Sequence, residues 1–237
     1  MDNLLVVGAS SGVGKECAIT LSKEYNVFAV ARREDRLNEL KEYGITPIVF
    51  DLSSLDKIDS FVKSLAKEYG KFKAIVYSAG KQSIKPLRVI KPQDIDDIFH
   101  INFYAPMLFA KAFSSRSVHL PNNPSITFIS SIAAQKPEKG ILTYSASKAA
   151  LDNLTKGLAK EIAPIRVNAI APGFMITQMT QAFDSVYTKE FIDKVSKDYP
   201  LGLGSVDKVA NLVEFLVSQK ADYITGDIIR VDGGGIL

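Results

Sequence analysis

The chain has 237 residues, 46% of them hydrophobic and 23% charged, an ordinary composition that allows a sizeable core. Its net charge of +3 comes from 29 basic and 26 acidic residues spread along the chain, which excludes the concentrated basic face of a nucleic-acid binder. No apolar run approaches the roughly eighteen residues of a membrane span, and Met1-Asp2-Asn3 leaves no room for a signal peptide before the first strand-like run, so a cytoplasmic protein is expected.

Residues 3–8 form a short apolar run of buried-strand type, and Gly8-Ala9-Ser10-Ser11-Gly12-Val13-Gly14 follows at once. A helix is predicted over 13–24, with Cys17, Ala18 and Leu21 at helical spacing, so the glycines occupy a strand-to-helix turn. Glycines there let the backbone approach a pyrophosphate, and the helix N-terminus supplies N–H donors and a favourable dipole. Ser10 and Ser11 can add hydroxyl donors. Cys17 is the only cysteine, so no internal disulfide can form, and its position predicts a buried thiol.

Further strands are predicted over 26–31, 45–50, 72–77, 124–130, 165–170 and 226–231, and helices over 34–43, 54–69, 91–118, 143–162 and 206–217. Such alternation predicts an α/β fold: a single domain over 1–237, built as a doubly wound parallel sheet of about seven strands with helices on both faces. His100 and His119, the only histidines, have no close Cys or His partner, so no metal site is expected. Residues 174–205 break the alternation and carry Phe174, Met175, Met179, Phe183 and Phe191 among polar neighbours. An insertion at the C-terminal ends of parallel strands is where a substrate lid would sit.

Tyr144-Ser145-Ala146-Ser147-Lys148 places a phenol and an ammonium on one face of a helix. A phenol of pKa about 10 exchanges protons poorly at neutral pH unless a cation stabilises its phenolate. Lowering that value by about three units takes roughly 4 kcal/mol, a demand that one close ammonium and a positively charged cofactor ring could meet.

Together, Gly8 to Gly14 and Tyr144-x-x-x-Lys148 resemble the classical short-chain dehydrogenase/reductases, in what implies a Rossmann-type fold. The resemblance recurs along nearly the whole chain: Asp51-Leu52, Asn102, Ser131, Pro172-Gly173 through Thr177, and Ile224-Thr225-Gly226 through Val231 to Gly234. Two departures stand out. Ser78-Ala79-Gly80 replaces the family's Asn-Ala-Gly, and the link Ile162 to Asn168 is shorter than usual.

The resemblance implies the strand order 3-2-1-4-5-6-7 and a homotetramer assembled through helices near 101–118 and 143–162. It implies that Tyr144 exchanges the proton, that Ser131 hydrogen-bonds the reacting oxygen, that Lys148 lowers the Tyr144 pKa and holds the nicotinamide ribose, and that Asn102 holds a water linking Lys148 to solvent. Ser130 is a rival to Ser131, because successive strand residues face opposite ways. The strand pattern leaves that choice open; family alignment selects Ser131. The cofactor site would comprise Gly8, Ser10, Ser11, Gly12, Val13, Gly14, Arg32 and Arg33, then Asp51, Leu52, Ser78, Ala79 and Gly80, with Tyr144, Lys148, Pro172, Gly173, Met175 and Thr177 around the nicotinamide.

Cofactor choice is read after the second strand, in Val30-Ala31-Arg32-Arg33. A site for NAD would place a carboxylate there for the ribose hydroxyls, whereas guanidinium groups favour a 2′-phosphate, so NADP(H) is expected. Glu34 and Asp35 fit the first turn of a helix, where its dipole favours acids. The activity implied is NADP(H)-dependent reduction of a ketone or oxidation of a secondary alcohol. The Ala171-Pro172-Gly173-Phe174 stretch and the C-terminal run most resemble 3-oxoacyl-acyl-carrier-protein reductases, with reduction of a sugar or another small carbonyl, or a catalytically silent NADP-binding regulator, as alternatives.

Overall fold

The computed structural model describes residues 1–236. Its strand-like runs form β1 (Asn3–Val7), β2 (Asn26–Ala31), β3 (Thr46–Val49), β4 (Phe72–Tyr77), β5 (Ser125–Ile129), β6 (Arg166–Pro172) and β7 (Ile228–Val231). They make one sheet in the order β3-β2-β1-β4-β5-β6-β7, parallel at every pairing. Parallel neighbours need crossovers, and helices on both faces bury the central strands from two sides. Leu4 and Val6 face one core with Cys17, Ala18, Val209 and Val213, while Leu5 and Val7 face the other with Val62, Phe109, Phe113 and Leu151. The period of two along β1 therefore feeds two separate apolar layers.

The helices are α1 (Gly12–Leu21), α2 (Glu34–Asn38), α3 (Ile58–Tyr69), α4 (Pro92–Phe99), α5 (Ala105–Phe113), α6 (Leu142–Glu161), α7 (Gln178–Gln181), α8 (Lys189–Lys197) and α9 (Val206–Val217). The helix expected over 34–43 tightens after Asn38 into a 3₁₀ turn, closed by Gly44 at φ 71. The one expected over 13–24 stops at Leu21. β7 begins two residues later than expected, after Gly226 turns the chain at φ 77.

The largest correction concerns the helix expected over 91–118, which is interrupted by a π turn at His100–Tyr104 and ends at Phe113. Pro106 has no N–H to give the carbonyl of Asn102 four residues back, so the regular ladder cannot continue there. At the far end Ser114 turns its hydroxyl onto the Lys111 carbonyl (2.7 Å), a local bond that competes with further helix. The widened turn carries Asn102 inward, fully buried, and brings the Ile101 carbonyl to the Tyr77 hydroxyl at the end of β4 (2.8 Å).

All seven strands point their C-terminal ends to one edge, the position at which open α/β sheets bind ligands. That edge is supported from below by an aromatic layer in which Phe109 meets Tyr77 (5.7 Å between centroids) and Phe61 (6.5 Å). Phe109 is fully buried, so Phe109→Ala is expected to cost about 3–5 kcal/mol of unfolding free energy. A lowered urea midpoint at unchanged denaturant slope is the measurement that checks it.

Candidate active site

A cleft of about 1320 Å³ opens along the C-terminal edge of the sheet. Its wall contains Gly8, Ser10 to Val13, Arg32, Arg33, Asp51, Leu52, Ser78 to Gly80, Ser131, Tyr144, Lys148, Pro172, Gly173, Met175 and Thr177. Of the catalytic and cofactor-site residues expected from sequence, only Gly14 and Asn102 are not part of that wall.

Gly14 is a matter of close approach: a Cβ there would come within 2.2 Å of the Gly8 carbonyl oxygen. Gly8 takes φ +89, and its Cβ would fall 2.4 Å from the Ala79 amide nitrogen. The turn after β1, the start of α1 and the turn after β4 thus touch through bare backbone. Ser78 joins this contact through its amide, bonded to the Val7 carbonyl (2.8 Å), so the family's usual asparagine is not required for the backbone link.

Ser11 precedes α1 without capping it through its side chain, and the first turn carries no acid, so this helix end is open to an anion. Arg33 lies over it. Its guanidinium donates to Ser10 Oγ and Ser11 Oγ, each at 2.9 Å. Arg32 instead lies near enough to Asp51 to act on its charge: that carboxyl is held below the usual carboxylate range by the Ser53 amide first and by Arg32 among weaker influences. Glu34 and Asp35 are exposed and lie outside the cleft wall. These features suit a phosphorylated dinucleotide: a close backbone cradle, an unblocked helix end, and a guanidinium above two hydroxyls.

Tyr144, Ser131 and Lys148 line the other part of the cleft. Ser131 Oγ accepts the Ala133 amide (3.1 Å), which caps a short 3₁₀ turn and holds the hydroxyl beside the Tyr144 phenol. Ser130 points the other way and donates to buried Asp152. Strand alternation could not choose between the two serines; the Asp152 contact on α6 does distinguish them.

Burial pushes the Tyr144 phenol up to about 12, the Ser131 hydroxyl pulls it back, and Tyr187 opposes its ionisation. Lys148 is held down to about 8, mainly by burial, with Asp152 acting against that. The expected lowering of the Tyr144 pKa by Lys148 is absent from this arrangement. The ammonium is 5.8 Å from the Tyr144 ring centre and donates to the Ile129 carbonyl (2.8 Å), so desolvation of the phenol prevails.

Asn102 acts as a clamp. Its Oδ1 accepts the Lys81 amide (2.8 Å), while Nδ2 donates to the Lys81 carbonyl and to Ser147 Oγ, both at 2.9 Å. Ser147 in turn donates to the Tyr144 carbonyl (2.7 Å). The turn after β4 and the first turn of α6 are therefore joined through one amide.

Sequence reasoning missed Gln82 and Tyr187. Gln82 Nε2 donates to the Tyr187 hydroxyl (2.7 Å) across the cleft that both line. The spacing of Phe183, Tyr187 and Phe191 at four-residue intervals was a legible signal for an aromatic face, and these rings do meet (6.4 Å and 5.3 Å). Phe174 joins them at 5.1 Å from Tyr187.

A family model described as enoyl-(acyl carrier protein) reductase matches residues 8–235. The chain is 36% identical over 243 residues to an L-xylulose reductase of Caenorhabditis elegans, covering 98% of this chain and 94% of that one. It is 30% identical over 248 residues to a 3-oxoacyl-acyl-carrier-protein reductase of Thermotoga maritima, covering 98% and 97% respectively. Among solved structures it is similar to an actinorhodin polyketide ketoreductase variant with NADPH, at a TM-score of 0.92 and 27% identity over 100% of this chain and 98% of the other. With the glycine turn, the parallel sheet and the Tyr144–Lys148 helix inside these matches, the chain belongs to the short-chain dehydrogenase/reductase family.

Proposed function

We propose that the protein is an NADP(H)-dependent oxidoreductase that interconverts a ketone and a secondary alcohol. The observation that carries this reading is a single cleft with Arg33, Ser10 and Ser11 at an open helix end and with Ser131, Tyr144 and buried Lys148 in its other part. A bound nicotinamide would supply the hydride in reduction and accept it in oxidation. Arg33, with the open end of α1, would hold the phosphate groups, and Pro172, Gly173, Met175 and Thr177 would wall the nicotinamide end. Asp51 and Leu52 would lie against the adenine.

In reduction Tyr144 would give its proton to the developing alkoxide, and Ser131 would donate a hydrogen bond to the same oxygen. A phenol held near 12 is fully protonated at neutral pH and ready to donate. Lys148 would steady the Tyr144 oxygen and bond the ribose, and its proton is the one that titrates within the working range. Asn102 would hold the first turn of α6 in place behind them.

The aromatic face of Phe174, Tyr187 and Phe191 supports an apolar substrate tail, and with it a 3-oxoacyl thioester. Likeness to the xylulose reductase supports a sugar as the second reading. An NADPH-oxidation assay with a 3-oxoacyl thioester, a 2-enoyl thioester and a ketopentose separates these substrate classes. No turnover of any ketone would leave a cofactor-binding regulator as the function.

The segment 174–205 would act as a lid on an otherwise single domain, and the exposed Tyr104 and Met107 would lie in a contact between copies. No helix among the described residues is long and apolar enough to cross a membrane. A cytoplasmic reductase drawing on NADPH fits this reading.

Four outcomes are expected. Arg33→Ala should weaken NADPH binding by roughly ten- to a hundredfold, the loss of one charge-assisted contact, with Arg32→Ala and NADH binding affected less. Titrations of both cofactors check this, and equal affinities for NADPH and NADH in the unaltered protein would refute it. Tyr144→Phe should lower turnover by about a hundredfold or more while NADPH still binds. In the unaltered enzyme reductive kcat/KM for NADPH should fall as pH rises through about 8, because Lys148 of the free protein loses its proton there; Lys148→Arg, with a guanidinium that keeps its proton, should lack that limb. Finally, hydrogen exchange across 174–205 should slow when NADPH and a 3-oxoacyl thioester bind, and unchanged exchange would remove the lid.

A further inference from the structure

The patch formed by Phe174, Tyr187 and Phe191 carries one polar pair. Gln82 Nε2 donates to the Tyr187 oxygen, so the phenol hydrogen must point elsewhere. Among the described residues it has no acceptor, and Gln82 Oε1 has no donor. Turning the amide over would only move the spare donor to the Gln82 N–H, so the pair presents a free donor in either arrangement. Both side chains line the cleft that contains Ser131 and Tyr144. Tyr187 is also close enough to Tyr144 to disfavour ionisation of both phenols together.

The rings on either side fix the phenol. Phe174 and Phe191 stand 5.1 and 5.3 Å from the Tyr187 ring, and the Gln82 bond ties its tip to the turn after β4. A phenol held in this way, with a spare donor on an apolar wall, suits a neutral oxygen acceptor carried by an otherwise apolar ligand.

We propose that Tyr187 and Gln82 bind a second carbonyl oxygen of the substrate, separate from the one reduced beside Tyr144, and so select dicarbonyl compounds over simple ketones. This rests on the reading of Tyr144 as proton donor and adds to it the substrate class: an apolar tail with a carbonyl a short distance from the reacting ketone, as in a 3-oxoacyl thioester. A site that hydrogen-bonds one substrate oxygen discriminates against the analogue that lacks it, because the half-buried polar pair is then covered without its partner.

The test compares a 3-oxoacyl thioester with a monoketone of the same tail, using kcat/KM with NADPH and, independently of turnover, the dissociation constants of both ketones from the protein loaded with NADP⁺, which has no hydride to give. Tyr187→Phe keeps the ring contacts and removes only the hydroxyl. The expected result is a loss for the dicarbonyl compound roughly tenfold larger than the loss for the monoketone, in both measurements. Gln82→Met should act in the same direction, and the double variant should lose little more than Tyr187→Phe alone. Equal losses on the two ketones would assign Tyr187 to lid packing and overturn the proposal, as would no loss on either. A hydroxyketone that matched the dicarbonyl compound would overturn the carbonyl preference. Tyr144→Phe, run alongside, should abolish turnover of both ketones; its failure to do so would refute the assigned proton donor, while the Tyr187→Phe binding ratio would still decide the second-oxygen site.

Discussion

Everything at the cleft depends on three backbones meeting without side chains between them. Gly14 rests on the Gly8 carbonyl and Gly8 on the Ala79 amide, at distances that admit no Cβ. Because α1 can start this close to the sheet, its open N-terminus faces the cleft rather than the solvent beyond it. Larger residues there would lift the helix and displace the turn and the open helix end as a unit. The apolar layers of the fold support this geometry from both faces: Cys17, Ala18 and Leu21 pack α1 on one side, and Tyr77 with Phe109 holds β4 on the other.

A second constraint ties the chemistry to that cradle. The Asn102 amide spans the Lys81 backbone and Ser147, and Ser147 holds the Tyr144 carbonyl. The π turn that carries Asn102 inward follows from Pro106, so a proline in a helix that does not line the cleft sets the position of an amide that acts on both halves of the site. Asn102 holds backbone from behind the cleft wall, whereas Tyr144 and Ser131 line the cleft itself.

Much of this was legible in the sequence because it is written locally. Strand periodicity, the glycine turn and the Tyr144–Lys148 spacing each lie within a few residues, and parallel packing places their products at one edge. The rest depends on distance in space. A single π turn hardly disturbs the periodicity of a long helix, so the break at Asn102 was hidden. The direction of the Tyr144 and Lys148 shifts turns on burial and on a lysine pointing at the Ile129 carbonyl, neither of which a motif encodes. Ser130 was separated from Ser131 only by a partner on α6, and Gln82 meets Tyr187 across 105 positions of chain.

The buried Lys148 has a consequence for the fold as a whole. Its ordinary value of 10.5 falls to about 8 in the folded protein, so between those limits the unfolded chain holds a proton that the native one has released. Stability therefore rises with pH across that window, and below it the fold carries the full penalty of a desolvated ammonium. The protonated lysine, the form proposed to serve proton transfer, is thus the one the scaffold tolerates least, and a ligand that contacts the ammonium would relieve that tension as it binds. On the proposed mechanism, catalytic competence and resistance to unfolding would favour opposite ends of the same titration, a trade-off carried by one side chain.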